Sequence, residues 1–207
     1  MKRILILIDY SSEFSRRLLR GLIQYAHEHG PWLFYRLPTY YKTMYGKEGI
    51  IEWAKSWKAD AILARWDHEG TNLLATLNIP IVLQNYKSRS PYFSNLTGDY
   101  VGTGVMAAKF FIKRRFRNFA FYGNKGVVWS QERAEGFQKE VEKAGGNFFR
   151  FESEDLGGKE WSSTHAELDE WLLALPKPVG LFACDDDFAL RISQICKINN
   201  IQIPEEI

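Results

Sequence analysis

Short apolar runs alternate along this chain with longer segments in which apolar side chains recur every three or four positions. The first run, residues 3–8, is followed by a helical pattern over residues 13–27, and Gly30 marks the end of that helix. Short apolar runs are typical of buried strands, and the longer spacing is typical of amphipathic helices. Strands and helices therefore alternate, which predicts an α/β fold with parallel sheets covered by helices on both faces.

The same pattern divides the whole chain into elements and two lobes. In the first helix, the predicted buried face carries Phe14, Leu18, Leu22 and Tyr25. The remaining predicted strands are residues 32–37, 59–64, 81–83, 119–122, 147–151 and 179–183. The remaining predicted helices are residues 49–57, 72–77, 100–113, 130–144, 161–175 and 188–198, and residues 86–96 are a predicted loop. We predict an N-terminal lobe at residues 1–115 and a C-terminal lobe at residues 116–207. The second lobe is expected to be incomplete and the chain to be a truncated part of a longer protein, because residues 201–207 resemble the lead-in to another strand.

Composition narrows the class of protein. Hydrophobic residues make up 45% and charged residues 25%, and the net charge is +2, so no nucleic-acid surface is expected from charge alone. Cys184 and Cys196 fit neither a disulfide framework nor a zinc pattern, so we expect two reduced core cysteines in a cytoplasmic protein. The sequence shows no signal peptide and no stretch long enough to span a bilayer, so no membrane association is expected.

Candidate chemistry follows from the positions where the strands end. Ligands of open parallel sheets bind beyond the carboxyl ends of the strands. The segments at these ends are residues 9–12, 65–68, 84–86, 123–130 and 184–187, and they carry carboxylates, an arginine and aromatic rings. Carboxylates accept hydrogen bonds from neighbouring hydroxyls, and an arginine can donate two hydrogen bonds in one plane. Clustered carboxylates would repel phosphate, so the set favours a neutral polyhydroxy ligand.

Each of these residues also has a purely structural explanation. Asp99 and the acidic residues 185–187 stand where side chains cap helices and complement the helix dipole. Arg133 is equally explained as an exposed surface charge, Trp129 as a core residue and Asp9 as a turn residue. The residues by themselves leave these alternatives open.

Catalytic motifs are absent from the sequence. It contains no Gly-x-Ser-x-Gly elbow, no phosphate loop of the Gly-x4-Gly-Lys type and no histidines at metal-ligand spacing. We therefore expect no catalytic residues, no metal and no cofactor. The basic run at residues 113–117 is explained by cations at a helix C-terminus, so this chain alone is not expected to bind DNA specifically.

Two stretches of the second half carry a family resemblance. One runs from residues 119–123 (FAFYG) through Trp129 and Glu132-Arg133 to Gly136-Phe137. The other is residues 179–186 (VGLFACDD), and it leads to Ile192, Gln194, Cys196 and Ile203-Pro204. The helix start at Asp99 and Gly102 matches as well. Together they resemble the sensor domain of LacI/GalR regulators and of ribose-type periplasmic binding proteins. More narrowly, they resemble the xylose-operon-regulator type of the AraC class.

This resemblance implies site residues by position. Arg133 matches an arginine that binds sugar hydroxyls, and Asp185 stands where many members have a sugar-contacting asparagine. Asp186 matches the helix-starting aspartate of the family, and Asp99 matches an aspartate at the cleft edge. Trp129 or Phe14 is expected to stack on the sugar ring. The expected contacts from the first lobe are Asp9, Phe14, Asp67 and Asn85.

The resemblance also implies a function. The expected effector is a small sugar, with a pentose such as xylose foremost, and the lobes are expected to close on it and change the spacing of DNA-binding domains. A homodimer is expected. DNA contact is expected only through a C-terminal helix-turn-helix domain of the parent protein that this chain lacks. A periplasmic-type sugar-binding protein for transport shares the fold and is the first alternative, and a carbohydrate-active enzyme is the second.

Overall fold

The computed structural model describes residues 1–66, 68–84, 88–154 and 161–207. They form two compact units, Met1–Thr97 and Gly98–Ile207, each with its own parallel sheet and its own apolar core. The predicted α/β class with parallel sheets and flanking helices is confirmed.

The first unit is built on a sheet with the strand order β2-β1-β3-β4-β5, in which every neighbouring pair is parallel. Strand β1 lies between β2 and β3 and is buried toward its carboxyl end. The elements of this unit are β1 (Lys2–Leu7), α1 (Glu13–His29), β2 (Trp32–Arg36), α2 (Thr39–Trp57), β3 (Ala61–Ala64), α3 (His68–Ala75), β4 (Ile81–Leu83) and β5 (Ser94–Asn95).

Helix α1 begins and ends where the sequence predicts, but part of its predicted buried face is exposed. The Ser12 hydroxyl accepts the backbone N–H of Ser15 at the N-terminus, and Gly30 follows the last residue with a φ of 128°. The buried residues are Ser15 and Ala26, whereas Phe14 and Tyr25 are 43% and 48% exposed. Leu18 and Leu22 pack against the core as predicted, and the aromatic rings lie at the margin of the buried stripe. The predicted burial of Phe14 and Tyr25 was therefore wrong.

Two elements of the first unit differ in extent from the prediction. Helix α2 begins at Thr39, ten residues before the predicted start, and bends at Gly46, whose φ is 66°. The segment before Gly46 carries no apolar period, so sequence pattern gave no signal for it. The two-residue strand β5 pairs with β4 inside the predicted loop, and it is too short to show an alternating pattern.

The second unit has a three-stranded sheet with the order β7-β6-β8, again parallel throughout. Its core includes Phe119, Phe121, Tyr122 and Phe137, and both free cysteines are buried as predicted. The elements are α4 (Tyr100–Lys113), β6 (Asn118–Asn124), α5 (Val128–Lys143), β7 (Asn147–Ser153), α6 (Trp161–Ala174), β8 (Val179–Ala183) and α7 (Asp186–Ile198).

Helix α4 lies in the second unit, because it packs along α5. The units divide after Thr97, whereas the sequence prediction placed the lobe boundary at residue 115. The two helices cross at glycines. A Cβ atom at Gly104 would lie 2.1 Å from the Arg133 carbonyl oxygen, and one at Gly136 would lie 2.1 Å from the Val101 carbonyl oxygen. This backbone contact brings the first turn of α4 beside the first turns of α5.

Among the residues that the structure describes, every helix is too short or too polar to cross a bilayer.

Candidate functional site

A cavity of about 620 Å³ lies in the second unit, beside the carboxyl end of β8 and the first turns of α7. Leu181, Phe182 and Ile192 contribute apolar wall. The polar side chains that line it are Thr103, Arg133, Asp185, Asp186 and Ser193. Three of the sequence-predicted site residues, Arg133, Asp185 and Asp186, are thus brought to one cavity.

Arg133 is half-buried and held on several sides. One guanidinium nitrogen, Nη1, donates a hydrogen bond to the carbonyl oxygen of Cys184. The guanidinium carbon lies 5.1 Å from the ring centroid of Trp129 and 5.3 Å from that of Tyr100. Its Nε–H is buried without a hydrogen-bond partner within the described ranges. This environment differs from that of a freely solvated surface charge, and ligand contact by Arg133 stays a prediction.

Asp185 caps helix α7 and faces the same cavity. Its Oδ1 accepts the backbone N–H of Phe188 at 2.9 Å, so the structural explanation for this residue is confirmed. Burial raises the pKa of the Asp185 carboxyl, and the nearby Asp187 raises it further, while the Phe188 N–H and Arg133 act in the opposite direction. The site therefore combines a fixed cation with a carboxyl group whose charged form is disfavoured by its surroundings.

Asp99, Asp186 and Asp187 in the same unit are exposed. Asp99 caps α4, where its Oδ1 accepts the N–H of Gly102 at 2.8 Å. Asp186 and Asp187 lie in the first turn of α7, where negative charge complements the helix dipole. Asp186 lines the cavity, and Asp99 does not.

In the first unit, Asp9 follows β1 and forms a turn. Its Oδ2 accepts the Ser11 hydroxyl at 2.6 Å, and its Oδ1 accepts the Ser11 N–H at 3.1 Å. The side-chain bond from Ser11 is the main reason that the pKa of Asp9 is lowered. Phe14 is partly exposed at the start of α1. The predicted site residues Asp67 and Asn85 lie outside the described residues.

Sequence reasoning missed a polar cluster at the carboxyl edge of the first sheet. Arg65 Nη2 donates to Gln84 Oε1 at 2.9 Å and lies 3.5 Å from the Ser15 hydroxyl oxygen. Ser15 and Gln84 are buried. Backbone bonds from Arg65 to Leu7 and from Gln84 to Ala64 continue the sheet by one residue, which places the two side chains next to each other. The signal in the sequence was a polar residue directly after each strand.

Two aromatic residues near these edges were also missed. Tyr100 reaches Arg133 from α4, as described above. Tyr10 follows β1, and the Arg36 guanidinium lies 4.5 Å from its ring centroid. No cluster of three or more potential metal ligands occurs in the part of the chain that the structure describes.

Comparison with known sequences supports the fold of the second half. Residues 108–207 match a family model described as a periplasmic binding protein-like domain. A comparison with curated proteins finds no match.

Comparison with solved structures covers nearly the whole chain. The xylose-binding transcription activator xylR has a TM-score of 0.77 at 22% identity, over 99% of this chain and 52% of that chain. The transcription regulator CcpA of Lactococcus lactis has a TM-score of 0.73 at 18% identity, over 100% of this chain and 76% of that chain. An ABC-transporter periplasmic solute-binding protein from Actinobacillus succinogenes with bound D-allose has a TM-score of 0.67 at 18% identity, over 97% of this chain and 75% of that chain.

These likenesses define the class of fold. The chain has a periplasmic-binding-protein-like α/β fold and resembles both regulators and transport proteins. It spans about half of the length of the xylR structure, 52%.

Proposed function

We propose that this chain is the sugar-binding sensor module of a transcription regulator. The observation that carries the proposal is the meeting of Arg133, Asp185 and Asp186 at one cavity beside the carboxyl end of β8. Parallel α/β sheets bind their ligands at that edge. Of the three similar structures named above, two are regulators, and one of these is described as xylose-binding.

The chemistry of the cavity suits neighbouring hydroxyl groups. An arginine held in one plane donates to two adjacent oxygens, and carboxylates accept from the hydroxyl hydrogens. Aliphatic and aromatic side chains from β8 and α7 provide a surface for the C–H groups of a sugar ring. A sugar presents this combination, and a pentose such as xylose is the effector that we propose.

The wider assignment rests on sequence resemblance. We propose that the parent protein is a cytoplasmic regulator of the AraC class with a C-terminal helix-turn-helix domain, and that it works as a homodimer. The present chain is then the sensor part of that protein, and its ligand acts by closing the lobes. A ligand can shift such an equilibrium only as far as it prefers one state over the other. The predicted first-lobe contacts Asp9, Phe14, Asp67 and Asn85 belong to this proposal.

A thermal-shift screen of pentoses, hexoses, uronic acids and sugar alcohols tests the sensor function. A sugar at 100 times its Kd should raise the Tm by roughly 5–10 °C for a chain of this size. Arg133→Ala should abolish the shift and leave the unliganded fold intact. Arg117→Ala, at an exposed arginine before β6, is the matched control and should keep the full shift. A full shift in Arg133→Ala would refute this site.

Transport is the second candidate function, because one similar structure is a periplasmic solute-binding protein with bound D-allose. Both candidates predict sugar binding, so a binding assay cannot separate them. Chromatin immunoprecipitation of the full-length protein separates them. Enrichment at defined promoters that changes with sugar supports the regulator, and absence of enrichment favours transport.

A further inference from the structure

Two aromatic rings flank the guanidinium of Arg133. Trp129 lies one turn earlier on the same helix, α5, and its ring centroid is 5.1 Å from the guanidinium carbon. Tyr100 is the first residue of α4, and its ring centroid is 5.3 Å from the same atom. Arginine is attracted to aromatic rings at these distances, and contact with two rings restrains it more than either contact alone.

The contact with Tyr100 depends on the close crossing of α4 and α5. Gly104 has no Cβ, so its backbone lies against the Arg133 carbonyl oxygen and the Phe137 backbone nitrogen. Gly136 makes the reciprocal approach to the Val101 backbone. A larger residue at either position would separate the helices and carry Tyr100 away from Arg133.

Neither ring lines the cavity that Arg133 lines. A third restraint, the hydrogen bond from Arg133 Nη1 to the Cys184 carbonyl oxygen, ties the guanidinium to the end of β8. From this arrangement we infer that Tyr100 and Trp129 are positioning residues that hold the Arg133 side chain in its ligand-binding orientation before ligand arrives. The inference rests on the proposed function for its purpose, but the restraint itself does not need a ligand.

Such a restraint has a direct consequence for affinity. A free arginine side chain loses much rotamer entropy when a ligand fixes it, and this loss weakens binding. When aromatic contacts fix the side chain during folding, the loss has already occurred before the ligand binds. Removal of one ring should therefore weaken sugar binding about 3- to 30-fold, the range expected for one cation–π contact.

The first readout is the mobility of the Arg133 Nε–H group, measured by ¹⁵N relaxation on the unliganded chain. The signal is assigned by its loss in Arg133→Lys. We expect a rigid Nε–H in the wild-type chain and in Tyr100→Phe, which keeps the ring. We expect a mobile one in Tyr100→Ala and in Tyr100→Leu, which keeps apolar bulk without a π face. Tyr92→Ala, at a tyrosine that is 85% exposed in the first unit, is the control and should change nothing.

The second readout is calorimetric titration with D-xylose. Weaker binding in Tyr100→Leu, with wild-type affinity in Tyr100→Phe, supports the positioning role. An Arg133 Nε–H that stays rigid in both Tyr100→Ala and Tyr100→Leu overturns the inference. If D-xylose fails to bind the wild-type chain, the proposed sugar is wrong, and the relaxation measurement still decides the role of Tyr100.

Discussion

Asp185 is a helix cap in a half-buried position. A helix N-terminus favours a charged carboxylate, whereas burial favours the neutral carboxyl group. Its carboxyl caps α7, and it is half-buried beside the cavity. Burial raises its pKa above the ordinary value of 3.8, so ionisation costs more free energy in the folded chain than in the unfolded chain. Between pH 3.8 and the raised pKa of Asp185, the folded chain therefore binds more protons than the unfolded chain. The free energy of unfolding falls as the pH rises through this range. At neutral pH the ionised carboxyl is a local cost to folding.

We predict that Asp185→Asn raises the Tm at pH 7 by up to about 3 °C, since solvent at this half-buried position screens part of the penalty. Asparagine caps helices as well as aspartate does and carries no charge. The gain should vanish as the pH approaches 4, and scanning fluorimetry from pH 4 to pH 8 checks both points. Asp99→Asn, at the exposed cap of α4, should show no comparable gain. A loss of stability in Asp185→Asn at pH 7 would contradict this account.

The candidate site was only partly predictable at the scale of single residues. Caps at Asp99 and Asp185 follow from local sequence, because a capping side chain bonds to a backbone three residues away. The place of Asp185 follows from the strand-end rule, whereas Arg133 lies inside α5 and was assigned to the site only by the family resemblance. The contacts of Tyr100 and of Arg65 with Gln84 depend on which helices and strands become neighbours. Sequence periodicity does not contain that information.

At the scale of elements, the crossing of α4 and α5 offers a sharp test. A Cβ at Gly104 would lie 2.1 Å from the Arg133 carbonyl oxygen and 2.7 Å from the Phe137 backbone nitrogen, and backbone atoms cannot move aside cheaply. We predict that Gly104→Ala lowers the free energy of unfolding by about 1–3 kcal/mol, the usual range for overpacking.

Gly21→Ala is the matched control for that substitution. Gly21 lies inside α1 with no atom within 4 Å of its added Cβ. This change should raise the free energy of unfolding by about 0.5–1 kcal/mol, because alanine loses less backbone entropy in a helix. Urea titration of the two variants measures both effects. Equal changes of the same sign would show that the backbone entropy of glycine, and not the helix crossing, determines the effect of Gly104→Ala on the free energy of unfolding.

Elements whose apolar residues recur at a regular spacing were predicted well, and elements without such a spacing were not. The bounds of β4, α4 and β8 agree with the sequence prediction. The first half of α2 was missed, because it consists mostly of tyrosine, threonine and lysine and its one aliphatic side chain is Met44. The start of a helix such as α2 is decided by tertiary contacts as much as by local sequence.

At the scale of the whole molecule, two units with separate cores were expected and are present. The predicted boundary between the lobes was placed in the basic run after α4, where the helical pattern of apolar residues ends. The structure divides after Thr97 instead, since α4 packs on α5 of the second unit. Contacts between elements decide such a boundary, and no local pattern reports them.

Separate cores allow ligand binding to be traced to one unit through thiol reactivity. Both cysteines lie in the second unit and are buried, and burial followed by the Asp185 carboxylate raises the pKa of Cys184 to about 12. A thiol reagent should therefore label Cys184 only when the second unit opens. A sugar held by Arg133 and Asp185 stabilises the closed form, so at 100 times its Kd it should slow labelling roughly 100-fold.

Labelling rates read by mass spectrometry, with and without sugar, check this prediction. Arg133→Ala should remove the protection of Cys184. A cysteine placed in the first core by Ala64→Cys, a buried position on β3, reports the other unit in the same experiment. Protection of that cysteine with none at Cys184 would place the ligand on the first unit and refute the cavity beside β8. Protection of Cys184 that depends on Arg133 would place the sugar at the cavity beside β8, which Cys184 also lines.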